Sequence, residues 1–191
     1  NESMMNRFAL GKKVVDWTQV DSWLDIGSGP GDFFAEIDKD YTLGRFLGVD
    51  ISETMIDMAT DKHYRTKNFS FLKVNFLELD QTQEYDLVSA VGVLQKCGAT
   101  PFVFFSKINS LLKKNGLAFV DTKNSQWNKF TSNELIPYEG HKWFDPAMLE
   151  ELVELCGFEI IQLGGFLPRT NQIVDLPESH SMYLYLRKAS S

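Results

Sequence analysis

The fold is decided by the stretch Ser22-Trp-Leu-Asp-Ile-Gly-Ser-Gly-Pro-Gly-Asp-Phe-Phe-Ala-Glu-Ile37. Its mostly apolar beginning predicts a strand, and the paired apolar residues at its end predict a helix. Between them lie three glycines at alternate positions, Gly27, Gly29 and Gly31. Glycine tolerates a positive φ and lets a ligand approach the backbone, and the intervening proline suits the first turn of a helix. The stretch therefore predicts a strand, a tight turn that a ligand can approach, and a helix.

A carboxylate, Asp50, follows the second predicted strand at residues 45–49. It comes about twenty residues after the glycine turn, where an acid can accept hydrogen bonds from both hydroxyls of a ribose. A dinucleotide site would need Gly-x-Gly-x-x-Gly, with the pyrophosphate at the helix N-terminus. Here Asp32 stands three positions after Gly29, and its carboxylate would repel a pyrophosphate. The turn thus favours a nucleoside without a pyrophosphate, while a dinucleotide and a purely structural turn stay open as alternatives.

Strands and helices alternate through most of the chain. Helices are predicted at about residues 3–16, 30–40, 53–60, 101–114 and 146–156. Strands are predicted at about residues 22–27, 45–49, 68–75, 85–91, 116–122, 158–163 and 182–186. Alternation over the first five strands predicts a parallel sheet with helices on both faces. Because no helix separates the last two strands, we expect a Rossmann-like α/β fold with a seven-stranded, mostly parallel sheet and an antiparallel final strand.

The length and composition of the chain are those of one α/β domain. It has 191 residues, of which 43% are hydrophobic, enough to bury a full core. We expect residues 1–191 to form a single domain, with residues 1–20 as a helical lead-in and residues 123–145 as an insertion. The first residue is Asn1 rather than Met, which is compatible with a fragment of a longer protein.

Charge and cysteine content narrow the class of protein. The net charge of −7 argues against general affinity for nucleic acid, which needs a basic surface. No apolar run approaches the ~20 residues of a membrane span, and no signal peptide is visible. The two cysteines, Cys97 and Cys156, do not make a disulfide framework, so we expect a reducing, cytoplasmic location. No Cys/His cluster has zinc spacing, and no metal is expected.

The glycine turn resembles motif I of the class I S-adenosylmethionine (SAM) methyltransferases, in which an acid, here Asp25, precedes Gly-x-Gly-x-Gly. The segment Asp50-Ile-Ser-Glu-Thr-Met55 is similar to the Asp-x-Ser-x-x-Met of that family. SAM has no phosphate and carries a sulfonium cation, so acids beside the turn are favourable. The final strand pair is also typical of the family, so the resemblance covers nearly the whole chain. The resemblance is strongest to small-molecule enzymes of the ubiquinone-biosynthesis type, which implies SAM as cofactor and a small-molecule acceptor.

The resemblance implies a cofactor site at the carboxyl ends of the strands. The glycine turn would support the methionine part of SAM, Asp25 would orient its amino group, and Asp50 would bind the ribose. Ile51 and Met55 would pack on the adenine, and Asn75 would accept a hydrogen bond from its amine. The full implied set is Asp25, Gly27, Gly29, Gly31, Asp50, Ile51, Met55, Asn75, Phe76, Val91 and Gln95. Structural roles stay open for these residues, such as a cap at either acid or a core position for the methionine.

Residues 124–144 leave the fifth predicted strand at the same edge of the sheet. They show no helix or strand pattern yet are rich in aromatic residues, and long loops of this kind are often functional. We expect them to form the acceptor pocket, with His141 and Tyr138 as candidate catalytic residues. The alternative is that the aromatic residues staple the loop to the core. After the fourth strand the chain has Leu94-Gln95-Lys96 where small-molecule members often have Leu-His-His, so no histidine base is offered there.

The function that these features favour is transfer of a methyl group from SAM to an O, N or C atom of a small-molecule acceptor. Two other classes stay open. One is a domain that binds SAM without turnover, which the absence of histidines after Leu94 allows. The other is a nucleotide-dependent oxidoreductase, which Asp32 and the final pair of strands disfavour.

Overall fold

The computed structural model describes residues 1–63, 68–131 and 140–190. The strands are β1 (Ser22–Ile26), β2 (Arg45–Asp50), β3 (Phe69–Lys73), β4 (Tyr85–Val91), β5 (Leu112–Lys123), β6 (Phe158–Leu167), β7 (Gln172–Val174) and β8 (Ser181–Lys188). The α-helices are α1 (Glu2–Val14), α2 (Asp32–Asp38), α3 (Glu53–His63), α4 (Pro101–Leu111), α5 (Asn128–Thr131) and α6 (Pro146–Leu155).

Within the described residues, the strands form one eight-stranded sheet in the order β3-β2-β1-β4-β5-β8-β6-β7. The pairs from β3 to β5 are parallel, and β8 lies antiparallel between β5 and β6. This confirms the predicted Rossmann-like fold, with a mostly parallel sheet and an antiparallel final strand.

The structure adds one short edge strand to the predicted set. Strand β6 was expected to end at residue 163, but it continues through Gly164 and Gly165 to Leu167. Its added end pairs antiparallel with Gln172–Val174, which forms β7. The two glycines concealed this continuation, because glycine weakens a strand pattern.

The end of α4 also differs from the sequence expectation. The helix was expected to continue to about residue 114, whereas α4 ends at Leu111. The next residue, Leu112, is fully buried and already pairs with Tyr85 of β4. Burial of this leucine in the sheet therefore ends the helix earlier than the sequence pattern predicted.

The core lies in two layers, one on each face of the sheet. On one face α4 and α6 pack against the sheet through buried residues that include Phe104, Phe105 and Val153. On the other face α1 and α2 pack through a second cluster. The shared feature of this second cluster is its aromatic content, which includes Phe8, Trp17, Trp23, Phe33, Phe34 and Phe46. Helices on both faces leave the carboxyl ends of the parallel strands as the open edge at which ligands bind in such sheets.

Trp23 lies at the centre of the aromatic cluster and is expected to dominate its stability. Its side chain is fully buried and meets the ring of Phe33 edge-on at a centroid distance of 5.0 Å. Trp23→Ala should lower the free energy of unfolding by about 3–5 kcal/mol, as large-to-small core changes do. Urea denaturation measures this loss. The matched control is Phe102→Ala, because Phe102 on α4 is 54% exposed. If both variants lose the same stability, the central role of Trp23 is contradicted.

Candidate functional site

A cleft of about 720 Å³ opens at the carboxyl edge of the sheet. Its walls come from the ends of β1, β2, β4 and β5, the segment after β3 and the first turns of α1. The volume lies within the range of roughly 300–1,000 Å³ that small-molecule sites occupy. The predicted site residues that line it are Gly27, Asp50, Ile51, Asn75, Phe76, Val91, Gln95 and His141.

Four other predicted residues do not line this cleft in the described part of the chain. Asp25, Gly29 and Gly31 lie in or under the turn at its border, and Met55 is a partly exposed residue of α3. Their predicted contacts with a cofactor stay predictions. Tyr138 lies outside the described residues.

All three glycines of the turn have a positive φ, at 68°, 52° and 79° in chain order, so each needs glycine for its backbone alone. Their surroundings differ. A Cβ at Gly27 would lie 2.5 Å from the Val93 side chain, and one at Gly31 would lie 2.8 Å from the His63 ring. A Cβ at Gly29 would meet nothing within 4 Å. Gly29 therefore presents its backbone to open space at the rim of the cleft.

Asp50 joins the end of β2 to this turn. One carboxylate oxygen accepts a hydrogen bond from the Gly29 N–H at 3.0 Å, and the other accepts one from the Ser52 N–H at 2.9 Å. A carboxylate has about four acceptor positions, so these two bonds leave capacity for a ligand. The cap role and the ribose-binding role are therefore compatible, because the two N–H groups orient a carboxylate that lines the cleft.

Asp25 occupies a different environment, inside the protein below the turn. Its carboxyl is 3% exposed and accepts a hydrogen bond from Ser89 Oγ at 2.6 Å. The same Ser89 oxygen accepts one from Trp23 Nε1 at 2.8 Å. The pKa of Asp25 is raised to about 7, first by burial and then by the charge of Asp50, although the hydrogen bond from Ser89 lowers it. The acid of the motif is thus a buried residue of β1 that is bonded to Ser89 of β4.

Two polar side chains of the cleft wall already hold internal partners. Asn75 Oδ1 accepts a hydrogen bond from the Leu77 N–H at 3.2 Å and so caps the short helical turn after β3. Gln95 Oε1 accepts one from Thr122 Oγ1 at 3.2 Å. These bonds hold both amides in place along the cleft. Ile51 differs, because 75% of its apolar side chain is exposed where it lines the cleft.

A buried ion pair that the sequence analysis missed lies beside the cleft. Arg7 of α1, 4% exposed, pairs with Asp121 of β5, 1% exposed, and also donates to Ser181 Oγ at 2.9 Å. Asp121 accepts a second hydrogen bond, at 2.5 Å, from the Gly92 N–H. Burial lowers the pKa of Arg7 to about 10. The available signal was a lone arginine among the apolar residues of the first predicted helix, together with an acid inside an otherwise apolar strand.

Lys123 and His180, which were not proposed as site residues, form a second polar pair at the end of β5. Lys123 Nζ lies 2.9 Å from His180 Nε2. Burial, followed by the nearby positive charge of Arg7 and other cations, lowers the pKa of Lys123 to about 8. Burial and the charge of Lys123 lower the pKa of His180 to about 3. At neutral pH the lysine is therefore mostly an ammonium, and the neutral imidazole can accept its hydrogen bond.

His141 lines the cleft near these cations. Burial is the main cause that lowers its pKa, and the positive charges of Lys96, Lys123 and Arg7 lower it further. The imidazole of His141 is therefore neutral at physiological pH, the state in which a histidine can accept a proton.

The aromatic residues of the predicted acceptor segment pack on one another where the structure describes them. Trp143 stacks on Phe130 at 4.6 Å and on Trp127 at 6.2 Å between centroids. Trp127 meets His180 edge-on at 4.9 Å, and Phe144 is 6% exposed. These contacts favour the staple interpretation for the aromatic rings, whereas His141 alone of the described residues 124–144 lines the cleft.

In the described ranges, no group of three or more His, Cys, Asp or Glu side chains could hold a metal ion. The same ranges contain no helix that is both long and apolar enough to cross a membrane.

Sequence comparison places the chain in a family. Residues 7–163 match the family described as "Methyltransferase domain", and the chain belongs to that family. It is 26% identical over 159 residues to a ubiquinone biosynthesis O-methyltransferase of Rhodopseudomonas palustris (strain BisB5), covering 75% of this chain. The chain spans 60% of the length of that relative. The predicted family is confirmed, and the oxidoreductase alternative loses its support.

Solved structures show the same fold. A chain from the complex between the Haloferax volcanii Trm112 methyltransferase activator and a methyltransferase has a TM-score of 0.78 and 16% identity, over 98% of this chain and 91% of that chain. The N-methyltransferase NodS of Bradyrhizobium japonicum WM9, in complex with S-adenosyl-L-homocysteine (SAH), has a TM-score of 0.73 and 13% identity, over 100% of this chain and 89% of that chain. At these identities the likeness shows the fold alone.

The raised pKa of Asp25 predicts a pH-dependent stability. The unfolded carboxyl ionises near its ordinary pKa of 3.8, whereas the folded one keeps its proton to about pH 7. The contribution of Asp25 to the free energy of unfolding should therefore fall as the pH rises between these values, because the unfolded state releases the proton first. Asp25→Asn removes this titration, so its free energy of unfolding relative to that of the wild type should rise as the pH increases, as measured by urea unfolding of both proteins across the range. The exposed Asp57 supplies the control, since Asp57→Asn should keep the wild-type slope. A full wild-type slope in Asp25→Asn contradicts the assignment.

Proposed function

We propose that this chain binds SAM in the cleft and transfers its methyl group to an O, N or C atom of a small-molecule acceptor. The observation that carries the proposal is the rim of the cleft, where the open backbone of Gly29 is hydrogen-bonded to the carboxylate of Asp50. Membership of the methyltransferase domain family supports it.

The residues of the cleft fit the parts of SAM. Asp50 has free acceptor capacity for the ribose hydroxyls, and the exposed side chain of Ile51 gives the adenine an apolar surface. Phe76 and Asn75 line the neighbouring wall. Gly29 allows close approach of the methionine part, since no side chain occupies the space in front of it. Asp25, under the turn, would act on the amino group by shaping the backbone above it.

SAM supplies a methyl group already activated by its sulfonium cation. The task of the chain is then alignment of the acceptor with that group, and proximity of this kind contributes much of the catalysis. We propose His141 as the side chain that contacts the acceptor and accepts its proton, because it lines the cleft with a lowered pKa. Tyr138 remains a candidate for a second contact, and residues 123–145 would form the acceptor side of a single domain.

The proposed partner is a small molecule, and the proposed location is the cytoplasm. Both cysteines, Cys97 and Cys156, are free thiols, which suits a reducing compartment. A specific observation also keeps a domain that binds SAM without turnover as the second candidate. Gln95, which stands where a histidine base is often found, is buried and bonded to Thr122.

Two measurements test the proposal. Titration calorimetry with SAM should show binding to one site, and a folded sample that binds no SAM contradicts it. Incubation with SAM and a pool of metabolites should then produce SAH. Binding without any SAH formation would favour the domain that holds SAM without turnover.

Asp50→Ala is expected to weaken SAM and SAH binding by at least about tenfold. The reason is the loss of hydrogen bonds to a charged group, which contribute about 1.5–3 kcal/mol. Calorimetry measures the change, and Asp57→Ala on the exposed face of α3 is the control that should bind like the wild type. An Asp50→Ala variant with wild-type affinity would remove this carboxylate from the site.

A further inference from the structure

The charges of the cleft are unevenly distributed. Among its lining side chains in the described part of the chain, Asp50 is the one acid, and the cations are Arg7, Lys96 and Lys123. The whole chain has a net charge of −7, so its overall composition does not account for a surface rich in cations. One end of the cleft is therefore acidic and the other basic.

The two ends are separated along the edge of the sheet. Asp50 ends β2 and Lys123 ends β5, and in the sheet β1 and β4 lie between these strands. Three strand spacings amount to about 14 Å. The glycine turn follows β1, so the proposed cofactor would lie from β2 towards β4, and Lys123 lies one strand beyond it.

At the basic end of the cleft, Lys123 is partly buried and forms no ion pair with an acid of the described residues. The charge of Arg7 is compensated by Asp121. Over the described ranges, no carboxylate comes within ion-pair distance of Lys123. Its neighbours are the His180 ring at 2.9 Å and the face of Trp143, whose centroid lies 5.6 Å away. Both are neutral groups, so neither neutralises the ammonium.

A partly buried charge without a counter-ion is costly, and an anion placed beside it recovers the loss. The neighbouring cations strengthen this preference, because Lys96 also lines the cleft and forms no ion pair with an acid of the described residues. The basic end of the cleft thus holds cations that lack an anionic partner.

We propose that the methyl acceptor carries an anionic group, a carboxylate or a phosphate, and that the ammonium of Lys123 binds it. This inference rests on the proposed function, since it places the anion beyond the cofactor. The competing occupant is the carboxylate of the cofactor itself. The two differ in which ligand loses affinity when the charge of Lys123 is removed.

The test uses protein saturated with SAH and three small probes of similar shape: benzoate, phenyl phosphate and the neutral benzamide. Calorimetry should show at least one anion binding about tenfold or more tightly than benzamide, the scale of a charged hydrogen bond. Whichever of benzoate and phenyl phosphate binds more tightly identifies the anion as a carboxylate or a phosphate. Affinity for SAH alone is measured first in every variant.

Three variants connect the effect to one side chain. Lys123→Gln should lower the affinity for the anionic probe by about tenfold or more and leave that for SAH nearly unchanged, because only the ammonium is lost. Lys123→Arg should retain most of the binding, since it keeps the charge. Lys114→Gln, at the opposite end of β5 and exposed, should behave like the wild type.

Each contrary result has a distinct meaning. If SAH-loaded protein binds neither anion more tightly than benzamide, or if Lys123→Gln binds the anion normally, the proposal is wrong. If Lys123→Gln weakens SAH by the same factor as the anion, the cation serves the cofactor, and the proposal is also wrong. If the wild-type protein binds no SAH, the proposed function itself fails.

Discussion

The cleft depends above all on the buried ion pair between Arg7 and Asp121. Through this pair α1 is joined to β5, and hydrogen bonds from Gly92 and to Ser181 extend the network to β4 and β8. Withdrawal of two charges from water costs several kcal/mol per ion, so a buried pair adds little net stability. Its physical effect is to fix the position of α1. Removal of the acid would leave the charge of the buried arginine unpaired and would strongly destabilise the protein. The pair therefore holds the first turns of α1 across the strand ends and gives the cleft its side wall.

Asp25 and Asp50 show how two identical carboxyl groups take different roles because their environments differ. Asp25 is enclosed below the turn, its pKa is raised by burial, and its hydrogen bond comes from Ser89. Asp50 lines the cleft and is oriented by two backbone N–H groups, one of them from Gly29. The buried carboxyl thus joins β1 to β4, whereas the carboxylate at the rim of the cleft orients the turn through the Gly29 N–H. The proposed ligand contact follows from this difference in exposure, which the residue types alone do not reveal.

The sequence was most informative where function depends on local backbone chemistry. The turn at Gly29 was predictable because a positive φ selects glycine. The acid at Asp50 was predictable because the apolar residues before it mark the end of a strand. Arg7 and Asp121 were not, since they are 114 positions apart and their pairing exists only in the folded chain. The continuation of β6 was missed for a related reason, because burial and strand pairing there override the local preference of glycine. Contacts made by tertiary packing thus account for both omissions.

The aromatic segment after β5 packs beside the basic end of the cleft. The stack of Trp127, Phe130 and Trp143 was predicted to be either a staple or part of the acceptor site, and its ring contacts favour the staple. Trp127 and Trp143 pack edge-on against His180, which in turn accepts the hydrogen bond of Lys123. Burial and the charge of Lys123 lower the pKa of that histidine, so its neutral ring accepts the hydrogen bond and supplies no counter-charge to the lysine. The packed loop therefore lies beside the cationic surface that an anionic acceptor would complete.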